Sequence, residues 1–269
     1  MKALVVKLSR MFSLWGSFLS NSLTRDMEFK ANFISGLLVD FIYYGTHYFF
    51  FTIIFSYVDS LQEFSKHDVM VFLIVTFIAD TIYMLFFSGN LFNLNRLIIR
   101  GDLDFVLLKP INSQFIVSFR YVKSHAIVSL IILIGLLSNL LIESPRFIPN
   151  INIVTFFFSF LIGSSIWYAF DFSIGCLGFW FRNFSTGGWL SHEVMKFSMR
   201  PDSIYTGWLR KSLFTIVPMA LITSVPTRIL LYGPNPSYIL GQFIVAMIFL
   251  SMARLIWKKG LQRYESASS

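Results

Sequence analysis

Long apolar runs alternate with short charged segments along the whole chain, and this alternation leaves few folds open. Six runs are long enough to cross a bilayer: about 33–55, 69–92, 123–142, 152–181, 204–225 and 237–257. A straight helix needs about 20 apolar residues for the crossing. No water in the hydrocarbon satisfies backbone N–H and C=O groups, so each run must close its own hydrogen bonds as a helix. Only 13% of the 269 residues are charged and 32 are phenylalanine; an ordinary soluble domain carries about 25% charged residues. The fold read from this is an all-α integral membrane protein with about six transmembrane helices, residues 1–269 forming a single transmembrane domain. The fourth run is long enough to tilt or kink. The fifth holds Pro218 and ends near Pro226, which marks it as the broken or re-entrant element.

Lys and Arg set the orientation. Lys2, Lys7, Arg10, Arg25 and Lys30 precede the first run. Arg96, Arg100, Lys109, Arg120 and Lys123 lie between the second and third. Arg182, Lys196, Arg200, Arg210 and Lys211 are assigned to the connection between the fourth and fifth, and Arg254, Lys258, Lys259 and Arg263 to the C-terminal end. The alternate connections hold only Lys66, Arg146 and Arg228. Positive residues stay on the cytoplasmic side, so both termini are expected there. The net charge of +8 does not point to nucleic acid, because the basic residues flank apolar runs next to lipid headgroups instead of forming one stripe.

Ahead of the first run, Leu4, Leu8, Met11, Phe12, Trp15, Phe18 and Leu19 recur at helical spacing, with Lys7, Arg10, Ser13 and Ser17 on the other side. The pattern predicts an amphipathic helix over 3–22 lying in the membrane interface. A signal peptide is the other reading, although no small-residue cleavage site follows.

Catalytic constellations are missing from the sequence. Cys176 is the single cysteine, and His47, His67, His125 and His192 are scattered, so neither a disulfide nor a metal site is expected. No GxSxG, HExxH, CxxC or GxxxxGK[ST] pattern occurs. Any ATP this protein uses must be bound by another polypeptide.

Between the second and third runs the chain reads RLIIRGDLDFVLLKPINSQF, residues 96–115. Gly101 can end one helix, and Asp102 or Asp104 can cap the next. Phe105, Leu107 and Leu108 give this short element an apolar side, and Pro110 and Asn112 turn the chain back. The result is a rigid, half-apolar ledge. It either inserts into a groove on a cytoplasmic partner or rests on headgroups.

The segment GDLDFVLLKPIN resembles the G-x-L-D-x-x-L-L-x-P signature of permease subunits in the ATP-binding-cassette type-2 exporter family. Gly101, Leu103, Asp104, Leu107, Leu108 and Pro110 carry the match. Residues 201–231 resemble the same family's fifth-span region, with Pro201, Tyr205, Pro218 and Pro226 in place. The amphipathic N-terminal helix, six spans and basic tail fit as well, so the resemblance covers nearly the whole chain. It implies a multi-pass subunit of a cell membrane, of the bacterial inner-membrane kind. A second permease chain, identical or not, would pair with it. A pair of cytoplasmic ATPase subunits, which bind ATP and magnesium, would dock from below. Gly101, Asp102, Leu103, Asp104, Phe105, Leu107, Leu108, Lys109 and Pro110 would couple ATPase closure to the spans.

Four ionisable residues fall inside the spans: Asp40, His47, Asp80 and Asp171. An Asp at a helix centre costs roughly 2.5–3.5 kcal/mol on insertion scales, so each must face protein or water. Gly36, Asp40, Tyr44 and His47 share one helix face; Thr76, Asp80 and Tyr83 share another; Gly163, Trp167, Asp171, Gly175 and Gly178 a third. They form either a polar path or a set of interhelical hydrogen bonds that fixes packing. Three functions follow: the permease half of an ATP-driven exporter, a proton- or ion-coupled transporter or channel using these acids, and a membrane-embedded enzyme or scaffold. The cargo cannot be read from the residues.

Overall fold

A backbone surrounded by lipid has only itself to bond with, and the chain responds with helices almost throughout. The computed structural model describes residues 2–181, 184 and 187–264, with the side chains of residues 1–8 and of Phe92 left aside. Lys2, Leu4, Lys7 and Leu8 on the N-terminal pattern, and Arg182 in the charge pattern, therefore lie outside the described side chains. Among the described residues the only strands form one hairpin, in which Ser60–Leu61 pairs antiparallel with Phe64–Ser65.

Five helical stretches are long and apolar enough to span a membrane: Lys30–Ile54, Lys66–Arg100, His125–Ile142, Asn150–Phe179 and Pro236–Arg263. A sixth arises if Gly207–Thr215 and Met219–Tyr232, bent by 64° to each other, count as one element. The expected five simple spans fall within a few residues of these bounds, except that the second is far longer. The helices are α1 (Lys2–Glu28), α2 (Lys30–Ile54), α3 (Lys66–Tyr83), α4 (Gly89–Arg100), α5 (Asp104–Leu107), α6 (Ser113–Phe119), α7 (His125–Ile142), α8 (Asn150–Cys176), α9 (Gly187–Met195), α10 (Gly207–Thr215), α11 (Ser224–Tyr232) and α12 (Pro236–Arg263).

α3 and α4 form one rod through a π-helical segment, Met84–Ser88. Every residue from Asp68 to Thr81 is buried, because the run VMVFLIVTFIA is apolar on all sides and can be covered only from all sides. Its start is tied by a capping box. Asp68 N donates to Ser65 Oγ, and Ser65 N donates to Asp68 Oδ2 at 3.0 Å. Asp68 also accepts from Arg146 Nη1 at 3.0 Å and from Tyr232 at 3.2 Å. This joins the hairpin end of the rod to the loop after α7 and to the end of α11.

The N-terminal helix is longer than expected, reaching Glu28, and it docks on the bundle. Trp15 stacks on Phe86 with ring centroids 5.2 Å apart. Val122 N donates to Ser22 Oγ, and Ser124 Oγ donates to Asp26 Oδ2. On the far side, Gln242 of α12 reaches α8 and the bend before α11: Ser159 Oγ donates to it, and its own amide donates to Ser159 O and Leu221 O. Gly163 makes this crossing possible. A Cβ there would stand 2.8 Å from Ile222 O, a backbone atom that cannot step aside.

The stretch 196–211 lies elsewhere than its charge suggests. Asp202 has a side chain with no exposed surface, and it accepts from Arg228 Nε at 3.0 Å and from Arg210 Nη2 at 2.7 Å. Arg228 in turn donates to Glu63 at 2.7 Å and lies over the Phe64 ring at 4.8 Å. Glu63 and Phe64 belong to the hairpin, so Asp202 and Arg210 sit at the hairpin end of the bundle and not at the end that carries residues 101–112. The chain makes its crossing upstream of the expected 204–225, through α9 and the 3-10 turns after it. Gly187, Ser191, His192 and Met195 line one cavity with Asp80, Arg96 and Arg100, and Tyr43 donates to Met199 Sδ. α10 and α11 then form the re-entrant element. It begins at Asp202, dips to Gly163 and returns to Asp68 and the hairpin. Arg210 and Lys211 thus join Lys66, Arg146 and Arg228 at one end.

Removing the carboxylate in Asp202→Ala leaves two guanidinium groups without their shared partner. Loss of one member of a buried pair costs about 3–5 kcal/mol, and thermal unfolding of the purified chain in detergent should register a drop of that order. A topology measurement separates the two placements of 196–211. With Cys176 replaced, Lys211→Cys and Gln62→Cys should both react with an impermeant thiol reagent on intact cells, while Lys109→Cys should not. Protection of Lys211→Cys together with Lys109→Cys would restore the assignment made from charge.

Candidate functional site

The ledge stands at the tip of α4. Asn90 of α4 holds Tyr121 through two 2.7 Å hydrogen bonds, which marks the level at which α7's loop joins the bundle. Beyond that level α4 continues to Arg100, a helix of 12 residues in all, or about 18 Å at about 1.5 Å per residue. Gly101 then adopts φ 76°, a left-handed conformation open to glycine, and its N–H closes on Ile98 O. Leu103 N returns to Leu97 O at 3.2 Å. α5 follows, and α6 begins where Asn112 Oδ1 accepts from Phe115 N.

Within the ledge the apolar residues divide into two sets. Leu103 and Val106 point inward and are buried against α4, α6 and α12. Phe105, Leu107 and Leu108 point outward, with Phe105 at 69% and Leu108 at 81% exposure. Lys109 and Pro110 complete the exposed tip. The cap position of α5 is Leu103, which has no side-chain bond, so neither Asp102 nor Asp104 caps it. The aspartates instead face the C-terminal end of α12. Burial first, and then the carboxylates of Asp104 and Asp102, push the Tyr264 phenol up to about 12. The inward residue Val106 stood outside the pattern that the sequence suggested; its i+3 relation to Leu103 is the signal that identifies it.

A second site lies where the bundle opens above the ledge. A cavity of about 730 Å3 lies between α2, α3, α4, α8 and α9. Asp40, Asp80 and Asp171 all line it, so three acids from three separate helix faces are brought to one space. Each also has a neutral partner. Ser129 Oγ donates to Asp40 at 2.8 Å, Tyr44 to Asp80 at 3.0 Å, and Tyr83 to Asp171. Tyr83 stacks on Trp167 with centroids 4.4 Å apart and planes 7° off parallel. His125 Nε2 stands 3.9 Å from Asp40, and its ring fills the space beside Gly36. His47 does not join them: its Nδ1 faces Tyr43 O in its own helix, and its ring packs on Tyr43 and Phe77. Thr76 likewise bonds Phe72 O and stays in the core.

Residues the sequence reading passed over complete the cavity. Ser191 and His192 come from α9, Lys123 from the loop before α7, and Arg96 and Arg100 from its exposed mouth on α4. Among the described residues no group of His, Cys, Asp and Glu is placed to hold a metal ion.

The two halves of the ledge separate in a stability measurement. Leu103→Ala empties a buried site and should cost about 2–5 kcal/mol. Phe105→Ala removes only exposed surface and should change stability by within about 0.5 kcal/mol. Equal losses in chemical denaturation would show that the ledge has no fixed inner face.

No curated protein matches the chain. Residues 41–268, from the first spanning helix through the ledge, the re-entrant element and α12, match the model of the family described as ABC-2 family transporter protein. With that match covering most of its length, and five or six helices able to span a membrane, the chain belongs to the ABC-2 transporter family, as a membrane component of an ABC transporter.

Proposed function

We propose that this chain is the permease of an ATP-driven exporter whose ATPase is a separate cytoplasmic pair, and that residues 101–110 are the surface on which that pair acts. The observation that carries this reading is the divided ledge. An apolar tip of Phe105, Leu107 and Leu108 stands on a root of Leu103 and Val106 that is locked into the bundle. A surface that transmits force needs both parts: contact area outside and rigid packing inside. The tip also sits at the end of the rod that passes the cavity, so a push on it is delivered to the helix bearing Asp80 and Tyr83. A second permease chain completes the assembly. ATP and magnesium bind the partner pair, and both termini and the ledge face the cytoplasm. The basic residues on α4, around Lys123 and at the C-terminal end support that orientation.

A second reading, transport driven by an ion gradient without an ATPase, is favoured by the placing of Asp40, Asp80 and Asp171 on one cavity. Proteoliposomes energised by ATP or by a proton gradient alone separate the two.

Single cysteines at Phe105 and Leu108 in a Cys176→Ser background should cross-link to the ATPase that copurifies with the chain. Capture should be efficient in an assembled complex that hydrolyses ATP. Absence of any cross-link from both sites in such a complex would remove the ledge from the coupling path.

A further inference from the structure

The central cavity presents acceptors that the chain itself leaves open. Asp80 and Asp171 are each 8% exposed, and both line it. Tyr44 occupies one oxygen, Oδ2, of Asp80, and Asp171 is hydrogen-bonded by Tyr83 and by Ser191. The ion pairs among the described residues involve neither of them; the one at this cavity joins His125 to Asp40. His192 and Lys123 face the same space, and neither closes to an ion pair with Asp80 or Asp171.

Carboxylates removed from water without a cation are costly. The partner that completes this set is therefore positively charged and carries N–H donors. Arg96 and Arg100 do not serve, because they stand at the exposed mouth where water solvates them. The walls define the rest of the ligand. Trp167, Tyr43, Leu91 and Met195 make most of the lining apolar, and aromatic faces favour a cation further. The volume is within the roughly 300–1,000 Å3 of small-molecule sites. A bare metal ion needs several oxygen ligands converging at short range, and the described residues bring no such group together.

We propose that this cavity binds a protonated organic amine carrying an apolar or aromatic body. The amine lies between Asp80 and Asp171, which Tyr83 links across one helical turn, and the body lies along Trp167 and Tyr43. The inference rests on the transport reading in that it gives the cargo a chemical class. Its test needs no ATPase, so it stands or falls apart from the ledge.

The probe is dansylcadaverine, a protonated amine on an aromatic fluorophore. N-dansyl-6-aminohexanoic acid serves as the control, with the same fluorophore and a carboxylate in place of the amine. Anisotropy is read on the full chain in phosphatidylcholine nanodiscs, with empty nanodiscs subtracted. The amine should bind saturably and roughly tenfold or more tighter than the acid, the scale of one charge-assisted hydrogen bond. Asp80→Asn and Asp171→Asn, which keep size and hydrogen bonding, should each weaken the amine by a similar factor and leave the acid unchanged. Equal binding of the two dyes to the unmodified chain would overturn the proposal whether or not the variants fold. So would amine binding that both Asn variants retain.

Discussion

One helical rod, Lys66 to Arg100, sets the position of everything else. A helix that is apolar on every face has no side to give to water or lipid, so other elements must surround it. α2, α7, α8 and α11 all pack on it. Because it is buried from Asp68 to Thr81, it can carry polar groups at fixed heights. Asp68 closes the hairpin end, Asp80 and Tyr83 reach the cavity at mid-height, and Gly101 starts the ledge at the other end. The π-helical turn at Met84–Ser88 sits between the last two, the kind of local irregularity that tends to accompany functional sites.

Much of this was legible in the residues. Apolar runs of spanning length located five helices, four of them close to their observed bounds and the second short by the length of its cytoplasm-expected extension to Arg100, because hydrocarbon leaves a sequence little freedom there. Gly101, followed by an apolar patch, was enough to predict a ledge, since only a glycine accepts the φ that ends α4. The inner face of the ledge was less clear. Leu103 and Leu107 look alike in a sequence, and only the packing of α12 and α6 decides which of them is covered.

The fifth run was expected to be broken or re-entrant, and it does bend by 64° between α10 and α11; what the residues did not show is that the contacts of Asp202 put its start at the hairpin end. Hydropathy rewards unbroken apolar segments, and α9 with its following turns is mixed: Ser191, Met195 and Met199 are buried, while Trp189, Leu190 and Phe197 are exposed. His192, Glu193, Lys196, Arg200 and Asp202 lower its hydropathy; Lys196 pairs with Glu193 within the segment, and Asp202 with Arg210 and Arg228. The more apolar 204–225 drew the assignment, although it belongs mostly to an element that returns to the end it left. The convergence of Asp40, Asp80 and Asp171 was hidden for a related reason. Helical periodicity tells which residues share a face of one helix, but not how separate helices are rotated toward each other.

That polar fifth crossing has a consequence for how the protein is made. A segment with several charges is refused by the insertion machinery when it is presented alone, each central charge adding roughly 2.5–3.5 kcal/mol. The partners of residues 187–206 are Tyr43 of α2, the walls of α3 and α8, and Arg228 downstream. Asp202 at its end finds both cationic partners, Arg210 and Arg228, only in chain that is synthesised after it. The C-terminal third thus supplies what fixes the end of this crossing.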